Sequence, residues 1–363
     1  MAHTNQEVYS RLVLEKLRKE TVLKDGVVFN NDYDGEPASG SVKVPTRDTE
    51  VAASDYDKAS GLAPSTGSTA YVQILIDKDK AVNEIIDGYD AQAVPDGIVA
   101  ERLDSAGYSL ALAMDTDGAT ALLGAGTVVG VVAQDKDSIY ATLVDQRVAM
   151  DKANIPGMGR YALVTPDYIG LITKSPEFVS ASALGDAVKQ SGAIGRLAGF
   201  NVIEWNDTTA NLAMICGHPR FATRVNAWKV PVGLQDLSGD ANFIGASAVK
   251  GRHVYAHKVL RSAAVRCVYA PTVMTLAAAA ATTLGKTILT KTDGSSATSW
   301  EYIKNPSARA VYGAAYDGTS LTSGTTEIAV TAGDVIEVAG IKDSKVVSVG
   351  YHTVVTADIG TGT

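Results

Sequence analysis

Cysteine is almost missing from this chain: 363 residues hold only Cys216 and Cys267. They stand far apart in no CxxC pattern, which argues against a disulfide framework and for two buried thiols in a reducing compartment. Long hydrophobic runs are missing too. No stretch approaches the ~20 consecutive apolar residues that cross a bilayer, so no membrane partner is expected. The N-terminal MAHTNQEVYSRLVLEKLRKET is charged throughout and lacks a signal peptide's apolar centre, so a chain made and kept in a cytoplasm is expected. Positive charge is in deficit, with 32 Lys and Arg against 40 Asp and Glu and a formal net charge of -8. Such a balance disfavours a protein whose main business is gripping nucleic-acid phosphates. Aromatic residues make up only 6%, mostly the 15 tyrosines.

Catalytic constellations are lacking as well. His253 and His257 have the HxxxH spacing of helical zinc ligands, but they sit in a strand-like run without the glutamate of HExxH or a third ligand. They are read as surface or interface histidines. Cys216 and His218 have no third group to orient them. The carboxylates at Asp77, Asp79, Glu84, Asp87 and Asp90, and at Asp115 and Asp117, lack calcium-loop spacing and are read as solvated faces or inter-subunit ion pairs. Gly124, Gly126 and Gly130 do not make GxGxxG and follow a helix, so no dinucleotide loop is expected. Asn206-Asp207-Thr208 is a sequon without a secretory route. No Ser/His/Asp elbow or phosphate loop occurs. No catalytic, cofactor-binding or metal-binding residue is assigned, no cofactor is expected, and the chain does not read as an enzyme.

What is present is a mixed α+β pattern. Residues 95 to 123 read as one long helix. Pro95 suits its first turn and Asp96 the positive end of its dipole. Val99, Leu103, Ala106, Leu110 and Ala113 or Met114 form an apolar stripe. Gly107 and Gly118 each cost such a helix about 1 kcal/mol relative to alanine. Residues 5 to 24 read as a short amphipathic helix with Val8, Leu12, Leu14, Leu17 and Leu23. Residues 26 to 67 are polar and turn-rich, too long for a structureless loop inside a compact domain, and fit a long hairpin reaching outward. Its strands include Val42, Val44, Tyr71, Ile74 and Ile76, too few apolar residues to bury both faces.

Further on, 137 to 153 reads as a helix, 160 to 164 as a buried strand and 167 to 173 as a short helix. Strands follow at 200 to 205, 213 to 216 and 253 to 255, with a glycine-rich, polar excursion between 232 and 251. Residues 257 to 270 read as strand, and the main boundary is expected near there. Beyond 284 the pattern is strand and turn, with Asp293-Gly294, Asp317-Gly318 and Gly333-Asp334 as turns. That predicts a β-sandwich or barrel of roughly eighty residues.

Two segments carry a resemblance. The first is YVQILIDKDKAVNEIIDGYDAQ followed by the helix containing LALAMDTDG. The second, more specific, is RYALVTPDYIGLITKSPEFVSASALGDAVKQSGAIGRLAGFNVIEWND (160 to 207), a "VTP" strand and helix followed by a "GxIGxxxGFxV" strand. In this order they resemble major capsid proteins of tailed bacteriophages, with the fold named after phage Hong Kong 97. The resemblance covers about 5 to 270. It implies an N-terminal arm (1 to 25), an extended hairpin loop (26 to 76), a peripheral domain with a long spine helix (77 to 123 and 252 to 272) and an axial domain (124 to 251). A C-terminal β-rich domain (273 to 363) is additional to it.

The function so implied is a coat protein that self-assembles into hexamers and pentamers of an icosahedral phage head enclosing double-stranded DNA. It would be assembled in the host bacterial cytoplasm. Portal, scaffolding or decoration proteins are partners the resemblance allows, with only weak non-specific contact to packaged DNA. Some members join a hairpin lysine to a neighbour's asparagine; Lys43 and Lys58 are available, but no asparagine is singled out. The alternatives are an encapsulin-like compartment shell of the same fold, and a surface adhesin or carbohydrate-binding protein with the β domain as binder.

Overall fold

A computed structural model describes residues 18–36, 39–46, 53–63, 69–89, 98–176, 195–239 and 244–362. The chain forms two compact units and passes between them three times: 1–125 and 219–261 make unit 1, 126–218 and 262–363 make unit 2. These limits differ from the divisions drawn on the sequence. Residues 219 to 251, expected with 124 to 218, instead supply sheet strands to unit 1. No break between units falls at 273.

In chain order the first run contributes β1 (Ser41–Thr46), β2 (Ala70–Leu75), β3 (Lys78–Ile86) and α1 (Ile98–Ala125). The second holds β4 (Thr127–Gly130), α2 (Ile139–Lys152), β5 (Tyr161–Val164), α3 (Pro166–Lys174), β6 (Arg196–Leu197), β7 (Phe200–Glu204) and β8 (Leu212–Gly217). The third is two long strands, β9 (Ala222–Asp236) and β10 (Ser247–Val259). The last holds β11 (Val265–Tyr269), β12 (Thr272–Val273), β13 (Thr275–Ala280), β14 (Lys286–Thr292) and β15 (Ser299–Lys304). It ends with β16 (Thr319–Ser320), β17 (Glu327–Ala329), β18 (Val335–Lys342) and β19 (Lys345–Thr353).

Unit 1 is a three-stranded antiparallel sheet, ordered β3-β10-β9, with the long helix α1 across one face. The stripe read from the sequence does this: Val99, Leu103 and Ala106 pack with Val82, Ile86, Val232 and Val249. The two helical glycines differ. A Cβ on Gly107 would meet nothing within 4 Å, whereas one on Gly118 would press on the Phe29 ring at 3.0 Å. Gly118 is therefore a contact point, and Gly107 a plain weakness of the helix.

The expected hairpin is present, with β1 and β2 antiparallel from Ser41↔Leu75 to Thr46↔Ala70. Val44 and Ile74 turn inward onto Val225 and Ala256 of unit 1. The hairpin does not begin at 26, however: Val28 and Phe29 are fully buried, and Asn30 and Asp34 bridge β9 at Thr223 and Asn226. Residues 18 to 24, expected to end a helix, are non-helical, and the rest of that helix lies outside the described residues. So do Pro95, Asp96, Asp90 and Gly192.

Unit 2 has a six-stranded mixed sheet, β4-β11-β8-β5-β7-β6, and two further sheets, β12-β19-β18-β15-β16 and β13-β14-β17. The latter two face each other over Met274, Leu289, Ile328, Ile336 and Val338, which makes the C-terminal module a sandwich. It is welded to the six-stranded sheet. Ala133 shares a core with Ala310, Ala339, Ile341, Val346 and Val349. Val132 bridges Val311, and Tyr269 stacks on Tyr312 with ring centroids 5.4 Å apart. A Cβ on Gly130 would sit 2.1 Å from the Tyr312 carbonyl oxygen, so only glycine lets the strand approach so closely.

Candidate functional site

A densely connected polar constellation lies in unit 1, where the N-terminal segment meets α1. Arg18 pairs with Asp104 at 2.6 Å and lies over the Tyr108 ring. The Tyr108 hydroxyl donates to the Lys19 carbonyl at 3.0 Å. Farther along the helix, Asp115 accepts the backbone N–H groups of Leu23 at 2.8 Å and Val22 at 3.4 Å. From Asp104 to Asp115 the helix climbs roughly 16 Å at 1.5 Å per residue. An extended chain covers about the same distance from residue 18 to 23. The segment therefore runs in the same direction as the helix, tied at both ends.

Beyond Leu23 the anchor is Arg224, on β9 and buried. It donates to the Leu23 carbonyl and to Asp25, both at 2.8 Å, and to His257 Nε2 at 2.9 Å. Strand periodicity puts His253, Tyr255 and His257 on one face of β10. Their rings form a ladder with centroids 5.1 and 5.3 Å apart, which ends on Phe29, 4.9 Å from His257. The Tyr255 hydroxyl donates to Asp117 at 2.9 Å.

Burial sets the electrostatics here. It lowers His257 to about 3, with the Arg224 charge acting in the same direction, so this imidazole is neutral and accepts from the guanidinium. His253 is lowered too, first by burial and then by Lys229 and Arg224. Asp115 is raised by burial, against the two backbone N–H groups that favour its charge.

Several readings of individual residues change. His253 and His257 are interior packing groups of unit 1 and not surface histidines, because the face of β10 that carries them turns toward α1 and Phe29. Much of the acidic set is spent within the chain: Asp79 on Arg252, Glu84 on Arg102 at 3.0 Å, and Asp117 on Lys80 at 3.4 Å. Among the described residues no group of three His, Cys, Asp or Glu could hold a metal ion. Cys216 and Cys267 are buried thiols that form no disulfide, both pushed up to about 12 by burial. His218 Nε2 lies 2.9 Å from the Met158 carbonyl, so Cys216 and His218 are separate packing elements. Lys43 and Lys58 are exposed.

Arg224 as a hub was missed in the sequence reading. A basic residue followed by Val225 inside a long strand was the available signal, since an arginine held at 3% side-chain exposure requires partners.

A helix-backed sheet, a β1–β2 hairpin and an anchored N-terminal segment are the elements that the coat-protein resemblance implies. The phage capsid protein family matches residues 84–269, half of the chain, and this chain belongs to that family. The match ends with β11, so the C-terminal sandwich lies outside it. A search of curated proteins found no match.

Among solved structures, that of Mycobacterium phage Che8 is 24% identical, with a TM-score of 0.61 over 73% of this chain and 97% of that one. The capsid of cyanophage P-SCSP1u is 16% identical, with a TM-score of 0.61 over 73% and 92%. The mature capsid of bacteriophage PhiM1 is 16% identical, with a TM-score of 0.60 over 74% and 92%. At these identities the likeness establishes the Hong Kong 97-type fold. The chain is a phage capsid protein and a component of the phage head.

Proposed function

We propose that this capsid protein forms the hexamers and pentamers of an icosahedral head around double-stranded DNA, with arm and hairpin exchanged between neighbours. In this reading unit 1 is the peripheral domain with its arm and loop. Unit 2 is the axial domain, and the sandwich is fixed on it as an outer module.

The carrying observation is the hairpin. Beyond β1 and β2 its distal lobe is a small turn in which Asp57 accepts from Ala59 N–H and Ser60 Oγ, and it exposes Tyr56 at 70% and Leu62 at 54%. A preformed turn that displays two large apolar side chains is costly alone and useful against a second subunit. The net charge of -8 suits a shell that does not trap its genome by attraction.

The test replaces 47–69 with a short Gly-Ser linker, which spares Phe29, Val44 and Ile74. A folded subunit that no longer assembles is the expected result. Normal shells from that variant would remove the hairpin from the assembly mechanism.

A further inference from the structure

Unit 2 contains a cleft of about 660 Å³. That volume lies within the roughly 300–1,000 Å³ typical of small-molecule sites. The parallel neighbours β5 and β7 both end at it. One wall is the start of α3 with Asp167 and Tyr168; the opposite wall is the loop after β7 with Asn206 and Thr208. Pro271 and Val273, at the turn from β11 into β12, supply an apolar side, Val273 being 65% exposed.

Three lining groups are already fixed. Gln134 donates to the Val132 carbonyl at 2.7 Å and accepts from Thr142 at 2.7 Å. The Asn211 amide donates to the Ala270 carbonyl, Thr272 Oγ1 and the Val347 carbonyl. Asp207 accepts the Thr209 N–H at 3.2 Å. The walls are thus pre-organised, which lowers the ordering cost of binding.

The chemistry narrows the ligand by elimination. Among the described residues no lysine or arginine lines the cleft, and Asp167 occupies the first turn of α3, so an anion meets repulsion there. The lining holds two carboxylates, and among the described residues no group of three His, Cys, Asp or Glu could hold a metal ion. What remains is a set of amides, hydroxyls and a carboxylate beside a short apolar face, a surface that both donates to and accepts from hydroxyl groups. Burial pushes the Tyr168 hydroxyl up to about 12, so it stays a donor at neutral pH.

We propose that the cleft between Asp167 and Asn206 binds a neutral polyhydroxylated ligand of the class of short oligosaccharides. This goes beyond the shell role and does not depend on it.

The test is saturation-transfer NMR on the full chain with lactose, maltotriose, mannotriose and chitotriose, together with the variants Asp167→Ala and Asn206→Ala. Both positions are exposed, so the variants should fold, which circular dichroism verifies. At least one saccharide should receive saturation from the wild type and bind at least about tenfold more weakly to each variant, a factor that corresponds to ~1.4 kcal/mol. Ser238→Ala, in unit 1, should change nothing. The proposal is overturned if no saccharide receives saturation, if both variants bind as the wild type does, or if spermidine displaces the saccharide and binds more tightly. Shell formation by the same samples, seen by microscopy, reports separately on the capsid function.

Discussion

The Asp115 carboxylate, in the second half of α1, accepts the backbone N–H of Leu23 at 2.8 Å across 92 positions of sequence. The contact joins the segment from 18 to 24 to the helix that spans the sheet.

Removing that acceptor should free the segment from 18 to 24. Asp115→Ala leaves two backbone donors without their partner, a loss of about 1–3 kcal/mol. Amide hydrogen exchange at Val22 and Leu23 should accelerate while exchange in β10 barely changes. Equal acceleration in both would show that this segment and the sheet open as one.

Arg224 should tolerate no conservative replacement. Lysine keeps the charge but cannot reach the Leu23 carbonyl, Asp25 and His257 together as the planar guanidinium does. Arg224→Lys should lower the urea midpoint by the equivalent of about 2 kcal/mol. An unchanged midpoint would mean that the hub is dispensable.

The pH dependence follows from His257. Its folded-state value is depressed to about 3 from 6.5, so its contribution to stability is complete above about 6.5. That contribution is lost as pH falls through this window. Asp115 is raised, so its contribution has the opposite sign and declines as pH rises from its ordinary value near 3.8. Thermal midpoints measured from pH 7 to pH 4 should fall, and His257→Gln should flatten that slope. An identical slope in the variant would assign the acid sensitivity elsewhere.

The two helical glycines give a paired test. Gly107→Ala should raise stability by up to about 1 kcal/mol, since alanine is the better helix former and nothing opposes its methyl group. Gly118→Ala should gain less or lose, because the new methyl meets Phe29 and His257. Thermal denaturation of both variants decides it.

Periodicity made α1, α2, α3 and the short apolar strands legible. The resemblance of 160 to 207 to coat proteins led to the right family because those residues pair a buried strand with its following helix. What stayed hidden was long-range. The end of β9 and the start of β10 fall in the stretch from 232 to 251 that reads as a glycine-rich, polar excursion. On an edge strand that bulges opposite Lys250 to Arg252 of β10, Pro231 and Gly233 are tolerated.

The intramolecular role of Asp79, Glu84 and Asp117 was equally invisible, since their partners lie on other elements. So was the weld between the sandwich and the six-stranded sheet, which rests on contacts such as Tyr269 with Tyr312 and Gly130 with the Tyr312 carbonyl.

The most direct test of the central claim is electron microscopy of the purified full chain at high concentration, read beside size-exclusion chromatography. Closed icosahedral shells, tubes or ring-shaped capsomers are predicted. A small monomer that persists across salt and pH conditions would contradict self-assembly through the arm and the hairpin.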